Sequence, residues 1–360
     1  MRETHQVRVL LVTNDFPPKA GGIQQYLNGL VEAFPGDMRV LAPRDDGAAE
    51  RKGVVRGDRR FMWPTARTRR WVARQVADFG PDVVLFGAPH PLAHMGPRLR
   101  PETGVPYAVL CHGAEVTVPA AFPITRQLVR FPLRRADALL ANSTYTARRV
   151  ERLARRPVRV VGVGVDPSFS PGLGPSGVVV GCVSRFVPRK GQRRVLHAVA
   201  ALRREGWDLQ VLLVGAGRDE ADHRRLAARL DVPTRFEVDV PYARLPSLYR
   251  EMSVFAMPCR SRWFGLEVEG LGVVFLEAAA SGLPVIAGDS GGAPETVDPG
   301  VTGFVVDRDA SLADALLRLI ADPGLASAMG EAGRARVERR HTWGSVAARF
   351  EEGLRGAIEG

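Results

Sequence analysis

Residues 178–196 read VVVGCVSRFVPRKGQRRVL, and the order of residue types in that stretch decides the fold. The run from Val178 to Val183 is apolar and rich in β-branched residues, as suits a strand buried on both faces. Basic and polar residues follow, with Pro188 and Gly191 turning the chain, and QRRVL then opens a helical pattern. Strand, short loop and helix in succession make up most of a βαβ unit, so the expected sheet is parallel.

The same alternation extends in both directions. Upstream, strands are expected near residues 7–13, 38–42, 82–88, 107–112, 138–142 and 158–163, with helices around 23–34, 68–79 and 144–155. The stretch DPSFSPGLGPSG, residues 166–177, breaks the rhythm with prolines and glycines and reads as an interdomain linker. Downstream the strands recur near 178–184, 209–214, 234–238, 254–258, 284–287 and 303–306. The chain then turns helical over 312–321, 325–340 and 343–358. Expected domains are therefore residues 1–165, residues 166–342 and a last helix, 343–360, that packs back on the first domain. The fold class is α/β, with two doubly wound, Rossmann-like domains whose ligands lie at the carboxyl ends of strands in a deep cleft between them.

Composition narrows the function. The chain has 360 residues, 50 Lys plus Arg against 39 Asp plus Glu, and a net charge of +11. Residues 1–165 hold 26 basic and 14 acidic side chains, net +12, while residues 166–360 hold 24 and 25, net −1. An excess confined to one half points to an anionic partner for that half: nucleic acid, a lipid surface or a phosphorylated substrate. Cys111, Cys182 and Cys259 are too widely spaced for a disulfide framework or a zinc site, which fits a reducing cytosol. The N-terminus reads as a polar lead into a strand rather than a signal peptide, and no apolar run is long enough to span a bilayer, so any membrane contact is peripheral.

Four segments carry chemistry. In TNDFPPKAGGIQQYL the pair Gly21 and Gly22 lies where the first strand hands over to a helix, whose free N–H groups suit an anion. In CHGAEV, His112 ends an apolar strand at the ligand edge, where it can hydrogen-bond a substrate. His90 and His94 are four residues apart, but Pro91 between them and the lack of a third nearby ligand argue against a metal site. In SRFVPRKG, Arg185 and Lys190 occupy a strand-to-helix loop, where guanidinium, ammonium and helix dipole together suit a diphosphate. Finally, EGLGVVFLEAAA places Glu269 and Glu277 on either side of Gly270, Leu271, Gly272, Val273 and Val274. Glu277 sits in an apolar run and needs a partner, for which a ligand hydroxyl is one candidate. The dinucleotide fingerprint GxGxxG is absent, since Gly215 and Gly217 are followed by Glu220, so hydride transfer is disfavoured.

These segments, in this order, resemble the retaining glycosyltransferases of family four, which adopt the GT-B fold. The resemblance spans essentially the whole chain and is closest to the actinobacterial phosphatidylinositol mannosyltransferases that use GDP-mannose. It implies that Arg185 and Lys190 bind the nucleotide diphosphate, that Glu269 holds hydroxyls of the transferred hexose and that Glu277 holds the ribose. It further implies that Gly21 and Gly22 line the donor phosphates, that the main chain of residues 270–274 supplies N–H donors, that His112 touches the sugar and that the base lies near Val240. Implied partners are GDP-mannose as a substrate rather than a resident cofactor, and an anionic inositol phospholipid, a phosphatidylinositol or its monomannoside, at the inner membrane face. No metal is required, and the enzyme would be cytoplasmic and peripheral.

For that surface, Arg126, Arg130 and Arg134 recur every four residues in FPITRQLVRFPLRRA, interleaved with Leu128, Val129 and Phe131. Pro132 interrupts the pattern and argues against one continuous amphipathic helix. Two other readings remain: a family-four transferase with a different nucleotide sugar or a soluble acceptor, and a non-enzymatic binding protein for nucleic acid or anionic lipid. Against nucleic acid stands the lack of a helix-turn-helix, zinc-finger or aromatic-interleaved basic motif.

Overall fold

The computed structural model describes residues 6–19, 21–113, 115–116 and 122–359. The chain forms two compact units, Met1–Gly164 with Trp343–Gly360, and Val165–Thr342.

The first unit contains β1 (Arg8–Val12), α1 (Gly22–Ala33), β2 (Asp37–Ala42), β3 (Val54–Arg56), α2 (Ala66–Phe79), β4 (Val83–Phe86), α3 (Gly96–Thr103), β5 (Tyr107–Cys111), α4 (Pro123–Arg135), β6 (Ala138–Ala141), α5 (Thr144–Ala154) and β7 (Arg159–Val160). Its strands are all parallel, in the order β3-β2-β1-β4-β5-β6-β7. The apolar runs of β1, β4 and β5 are buried along almost their whole length because helices cover both faces. Leu10, Val12, Val84, Phe86 and Val109 meet Val72, Val76 and Phe79 of α2 and Val129 and Leu133 of α4 in one core.

The second unit repeats the plan with β8 (Val178–Val183), α6 (Gln192–Arg204), β9 (Leu209–Val214), α7 (Glu220–Arg229), β10 (Thr234–Glu237), α8 (Leu245–Tyr249), β11 (Val254–Met257), α9 (Val273–Ala280), β12 (Val285–Gly288), β13 (Gly303–Val306), α10 (Asp309–Ala321) and α11 (Pro323–Arg340). Its sheet is parallel throughout, in the order β10-β9-β8-β11-β12-β13. In each sheet the winding reverses beside the first strand of the unit, between β1 and β4 and between β8 and β11. Crossovers leave those strand ends on opposite faces, which opens a crevice at their carboxyl edge.

The last helix, α12 (Trp343–Ile358), belongs to the first unit. Phe350, wholly buried, meets the Phe34 ring edge-on at 5.7 Å, and Trp343 lies so close to Gly29 and Gly164 that a Cβ at either would overlap its indole.

Three local expectations are corrected. The short β3 went unread because its residues are only half-buried and carry no apolar alternation. The last strand of the first unit, expected over 158–163, is confined to Arg159–Val160. Helix α4 runs unbroken through Pro132, against the expected interruption. A proline within a helix removes one N–H bond, but the Pro132 ring is buried with Val129 and Leu133, and its carbonyl accepts from Tyr107 Oη at 2.8 Å and from Ala136 N at 3.1 Å. Packing outweighs the lost bond.

Removing the aromatic anchor of α12 should unfold the first unit more easily. Phe350→Ala is expected to cost about 3–4 kcal/mol in urea denaturation, because it empties a filled space between α12 and α1.

Candidate active site

At the carboxyl edge of the second sheet, β8 runs into the loop 184–191 and then α6. Gly191 makes the turn with φ +86°, and a Cβ there would come within 2.5 Å of the Pro258 carbonyl, so the loop is pressed against the end of β11. That pressure carries the adjacent basic residues inward. Lys190 is buried, Arg189 half-buried and Arg185 exposed.

Lys190 and Arg189 converge on one carboxylate oxygen. Glu269 is 7% exposed, and its Oε2 accepts from Lys190 Nζ at 2.7 Å and from Arg189 Nη1 at 2.5 Å. Burial by itself pushes this carboxyl up, but the Lys190 and Arg189 charges and their hydrogen bonds outweigh it and hold the group below its ordinary value. The main chain of Glu269 is equally fixed, with its N–H donating to Ser290 Oγ at 3.2 Å and its carbonyl accepting from Gly292 N at 2.9 Å. Gly291, at φ +59°, makes this possible, since a Cβ there would lie 2.0 Å from the Glu269 carbonyl oxygen. Residues 270–274 then lead into α9, where Gly272 at φ +83° stands as N-cap; Leu271 is buried, Val273 and Val274 half-buried.

Glu277 has a different environment. It is 2% exposed, and its partners are phenols: Tyr249 Oη donates to Oε2 at 2.9 Å and Tyr242 Oη approaches Oε1 at 3.4 Å. Burial dominates the two hydrogen bonds, and the carboxyl is raised to about 7, helped by the Asp166 charge. The partner this residue requires is thus supplied by the protein. Val240 lies half-buried just past β10 and two residues before Tyr242.

The first unit places its residues around its own reversal point. His112 is buried at the end of β5, and its Nε2 donates to the Gly87 carbonyl at 2.8 Å. Tyr26 meets its ring edge-on at 5.3 Å. Gly21 caps α1 at φ +153°, and Gly22 is the first helical residue. Asp15 Oδ1 accepts from Gln24 Nε2 at 2.7 Å and Lys19 Nζ at 3.3 Å, tying the preceding loop to the helix. His90 and His94 contact each other at 3.2 Å, and among the described residues no group of three or more His, Cys, Asp or Glu side chains could hold a metal ion.

Of the sequence-derived set, the structure joins Lys190 to Glu269 and leaves Arg185 in the same loop with no side-chain partner among the described residues. Sequence reasoning missed Arg189, which it did not single out within the basic SRFVPRKG loop, and both tyrosines. Only the adjacency of Arg189 to Lys190 hinted at the first, and nothing local at the others.

Two matched families divide the chain. Residues 20–169 match Glycosyltransferase Family 4 and residues 168–336 match Glycosyl transferases group 1. The chain is 39% identical, over 98% of its length and 99% of the relative's, to a GDP-mannose-dependent alpha-(1-6)-phosphatidylinositol monomannoside mannosyltransferase of Mycolicibacterium smegmatis. It is 36% identical to the corresponding enzyme for the monoacylated lipid from Corynebacterium glutamicum, over 93% of this chain and 94% of that one. Among solved structures, sucrose-phosphate synthase from Thermosynechococcus elongatus superposes with a TM-score of 0.81 at 22% identity, covering 98% of this chain and all of the other. Anabaena HepE in complex with UDP gives 0.79 at 19%, covering 97% and 100%. These likenesses fix the fold as GT-B.

The two glutamates should respond oppositely to substitution. Glu269→Ala leaves two nearly buried cations without their counter-charge and is expected to lower the unfolding free energy by about 3 kcal/mol. Glu277 has a raised carboxyl, so the folded chain keeps a proton that the unfolded chain releases between pH 4.5 and about 7, and stability falls as pH rises through that window. Glu277→Gln should therefore flatten that decline and be more stable than the wild type at pH 8 by roughly 2 kcal/mol, measured by denaturant titration at pH 5, 6, 7 and 8.

Proposed function

We infer the reaction of this chain from its kinship: it belongs to the retaining glycosyltransferases of family four, alongside the actinobacterial GDP-mannose-dependent phosphatidylinositol monomannoside mannosyltransferases. The chain moves mannose from GDP-mannose to a hydroxyl of a phosphatidylinositol mannoside. The observation that carries the reading is the buried meeting of Lys190 and Arg189 on Glu269 at the reversal point of the second sheet, the place where such a sheet takes a nucleotide.

The reaction breaks the bond between the mannose anomeric carbon and the β-phosphate oxygen and forms one to the acceptor oxygen. The acceptor proton leaves with the departing diphosphate, on the same face of the sugar, and the α configuration is kept. Lys190, Arg185 and Arg189 stabilise the charge that grows on the leaving phosphate. Glu269 orients hexose hydroxyls while holding Lys190 and Arg189 in place before the donor arrives. The N–H groups of residues 270–274 add donors, Glu277 takes the ribose hydroxyls and the main chain near Val240 meets the base. The first unit supplies Gly21 and Gly22 to the phosphates and His112 to the transferred sugar. The cations carry the charge stabilisation, so the reading calls for no metal or resident cofactor.

Incubation with GDP-mannose and phosphatidylinositol monomannoside vesicles should give the dimannoside by mass spectrometry. Arg185→Ala and Lys190→Ala should each lose on the order of 10²–10³ in kcat, as preorganised donors on a developing oxyanion do. Consumption of a UDP- or ADP-sugar instead, or transfer to a soluble sugar alone, would replace the donor or the acceptor in this reading.

The lipid end of the reading rests on α4. Ile124, Leu128 and Phe131 are exposed at 80%, 49% and 43%, on one face at helical spacing; Arg134 flanks that face at three residues from Phe131, and Arg130 and Arg126 lie progressively further round the helix. No described helix is long and apolar enough to cross a membrane. This face instead rests on the anionic headgroups at the cytoplasmic side, with the apolar side chains below and the guanidinium groups level with the phosphates. Ile124→Glu with Leu128→Glu should reduce sedimentation with phosphatidylinositol vesicles at least tenfold while the circular dichroism spectrum stays that of the wild type.

A further inference from the structure

Tyr249 stands between two acceptors. Its phenol oxygen lies 2.9 Å from Glu277 Oε2 and 3.3 Å from the Val274 carbonyl, and it carries a single proton. That proton can serve only one of them. When Glu277 is ionised, Tyr249 donates to the carboxylate and the Val274 carbonyl goes without the phenol. When Glu277 is protonated, its O–H can donate to Tyr249 Oη, and Tyr249 then donates to Val274. In both states Tyr249 and Glu277 are hydrogen-bonded to each other, so the geometry accommodates either form of the acid.

Tyr242 approaches the other oxygen, Oε1, from the loop after Val240 and is 37% exposed, in contrast to the wholly buried Tyr249. Phe169 packs edge-on against both phenol rings, at 5.8 Å and 5.4 Å, and fixes their distance from the carboxyl. The groups facing Glu277 are these two phenols and Asp166 of the linker, with Cys182 of β8 beyond Tyr249. Helix α11, packed on the same helix, sends its Arg334 guanidinium to the Ala280 carbonyl. Both phenols are pushed above their ordinary range by burial and by the Glu277 charge, so they remain donors across the working pH.

We propose that Tyr249 and Tyr242 are positioning residues that couple donor binding to proton release from Glu277: the ribose diol takes the place of Tyr242 on Oε1, while Tyr249 holds Oε2. This rests on the ribose contact assigned above. Two ligand hydroxyls are donors, so they select the ionised carboxylate, and a protonated Glu277 must release its proton to the buffer as the nucleotide sugar enters. Donor affinity then weakens as pH falls below the Glu277 midpoint, and the Michaelis constant moves while the turnover number at saturation does not.

The test is titration calorimetry with GDP-mannose, whose diphosphate diester does not titrate in this range, without acceptor, from pH 5.5 to 8.5 in paired buffers of different ionisation enthalpy. The wild type should release most of a proton at pH 6 and almost none at pH 8.5, with the dissociation constant rising nearly tenfold per unit below the midpoint. Tyr249→Phe removes the donor that favours the ionised form and should move the midpoint upward by about one unit. Tyr242→Phe, on the exposed phenol, should move it in the same direction by less, and serves if the buried variant does not fold. Glu277→Gln should bind weakly with no pH dependence. A pH-independent affinity in the wild type, with Glu277→Gln still weak, would overturn the coupling and leave the ribose contact standing. Equal binding by Glu277→Gln and wild type, or no binding by the wild type at any pH, would overturn both.

Discussion

The site of the second unit depends on one carboxylate shared by two cations. Glu269 could not remain ionised so far from water without Lys190 and Arg189, and neither cation could remain buried without Glu269. Each surrounding feature serves that meeting. Gly191 presses the basic loop onto the end of β11, Gly291 lets the chain pass against the Glu269 carbonyl, and Gly272 starts α9 without a side chain in the way. A buried triad of this kind contributes little net stability, because desolvation consumes most of the Coulomb attraction. Its effect is positional: each of the three charged groups is held in one orientation by the others.

The seven-residue spacing between Glu269 and Glu277 hides a physical contrast. One carboxylate is held ionised by two cations, while the other is held near neutrality by burial among phenols. The same residue type therefore stands in two electrostatic states within one strand-to-helix passage: the first is fixed as an ion between two cations, the second lies close to its own protonation midpoint. Environments that push like groups apart in this way are how one fold separates binding from charge stabilisation.

The architecture was legible because it is written in local signals. Strands such as Tyr107–Cys111 and Val254–Met257 fall at the expected residues, since a strand covered on both faces must be apolar throughout. What was not legible depends on partners distant in sequence. Arg189 reaches a carboxylate 80 residues away, and Tyr249 one 28 residues away, so neither looks different from a surface arginine or a core tyrosine until the chain is folded. Pro132 shows the reverse case, in which a strong local signal for a helix break is overridden by burial of the ring and a bond from Tyr107. Half-buried β3 had too little apolar pattern to be read at all.

Net charge, the coarsest of the sequence observations, becomes informative only after pairing is taken into account. Many arginines of the first half are matched to acids: Arg39 to Asp78, Arg44 and Arg60 to Asp46, Arg67 to Asp58, Arg69 to Glu102 and Arg100 to Asp137. Along α4 the situation differs, because Arg126, Arg130 and Arg134 have no acidic partner among the described residues. Burial and the like charges of Arg134, Arg155 and Arg126 depress the Arg130 pKa. Like charges held together without counter-ions are unfavourable in an isolated protein, and the cost is relieved when an anionic surface supplies the missing sign. The arginines of α4 that lack an acidic partner therefore share a helix with the exposed Ile124, Leu128 and Phe131, a coincidence that the total of +11 does not reveal.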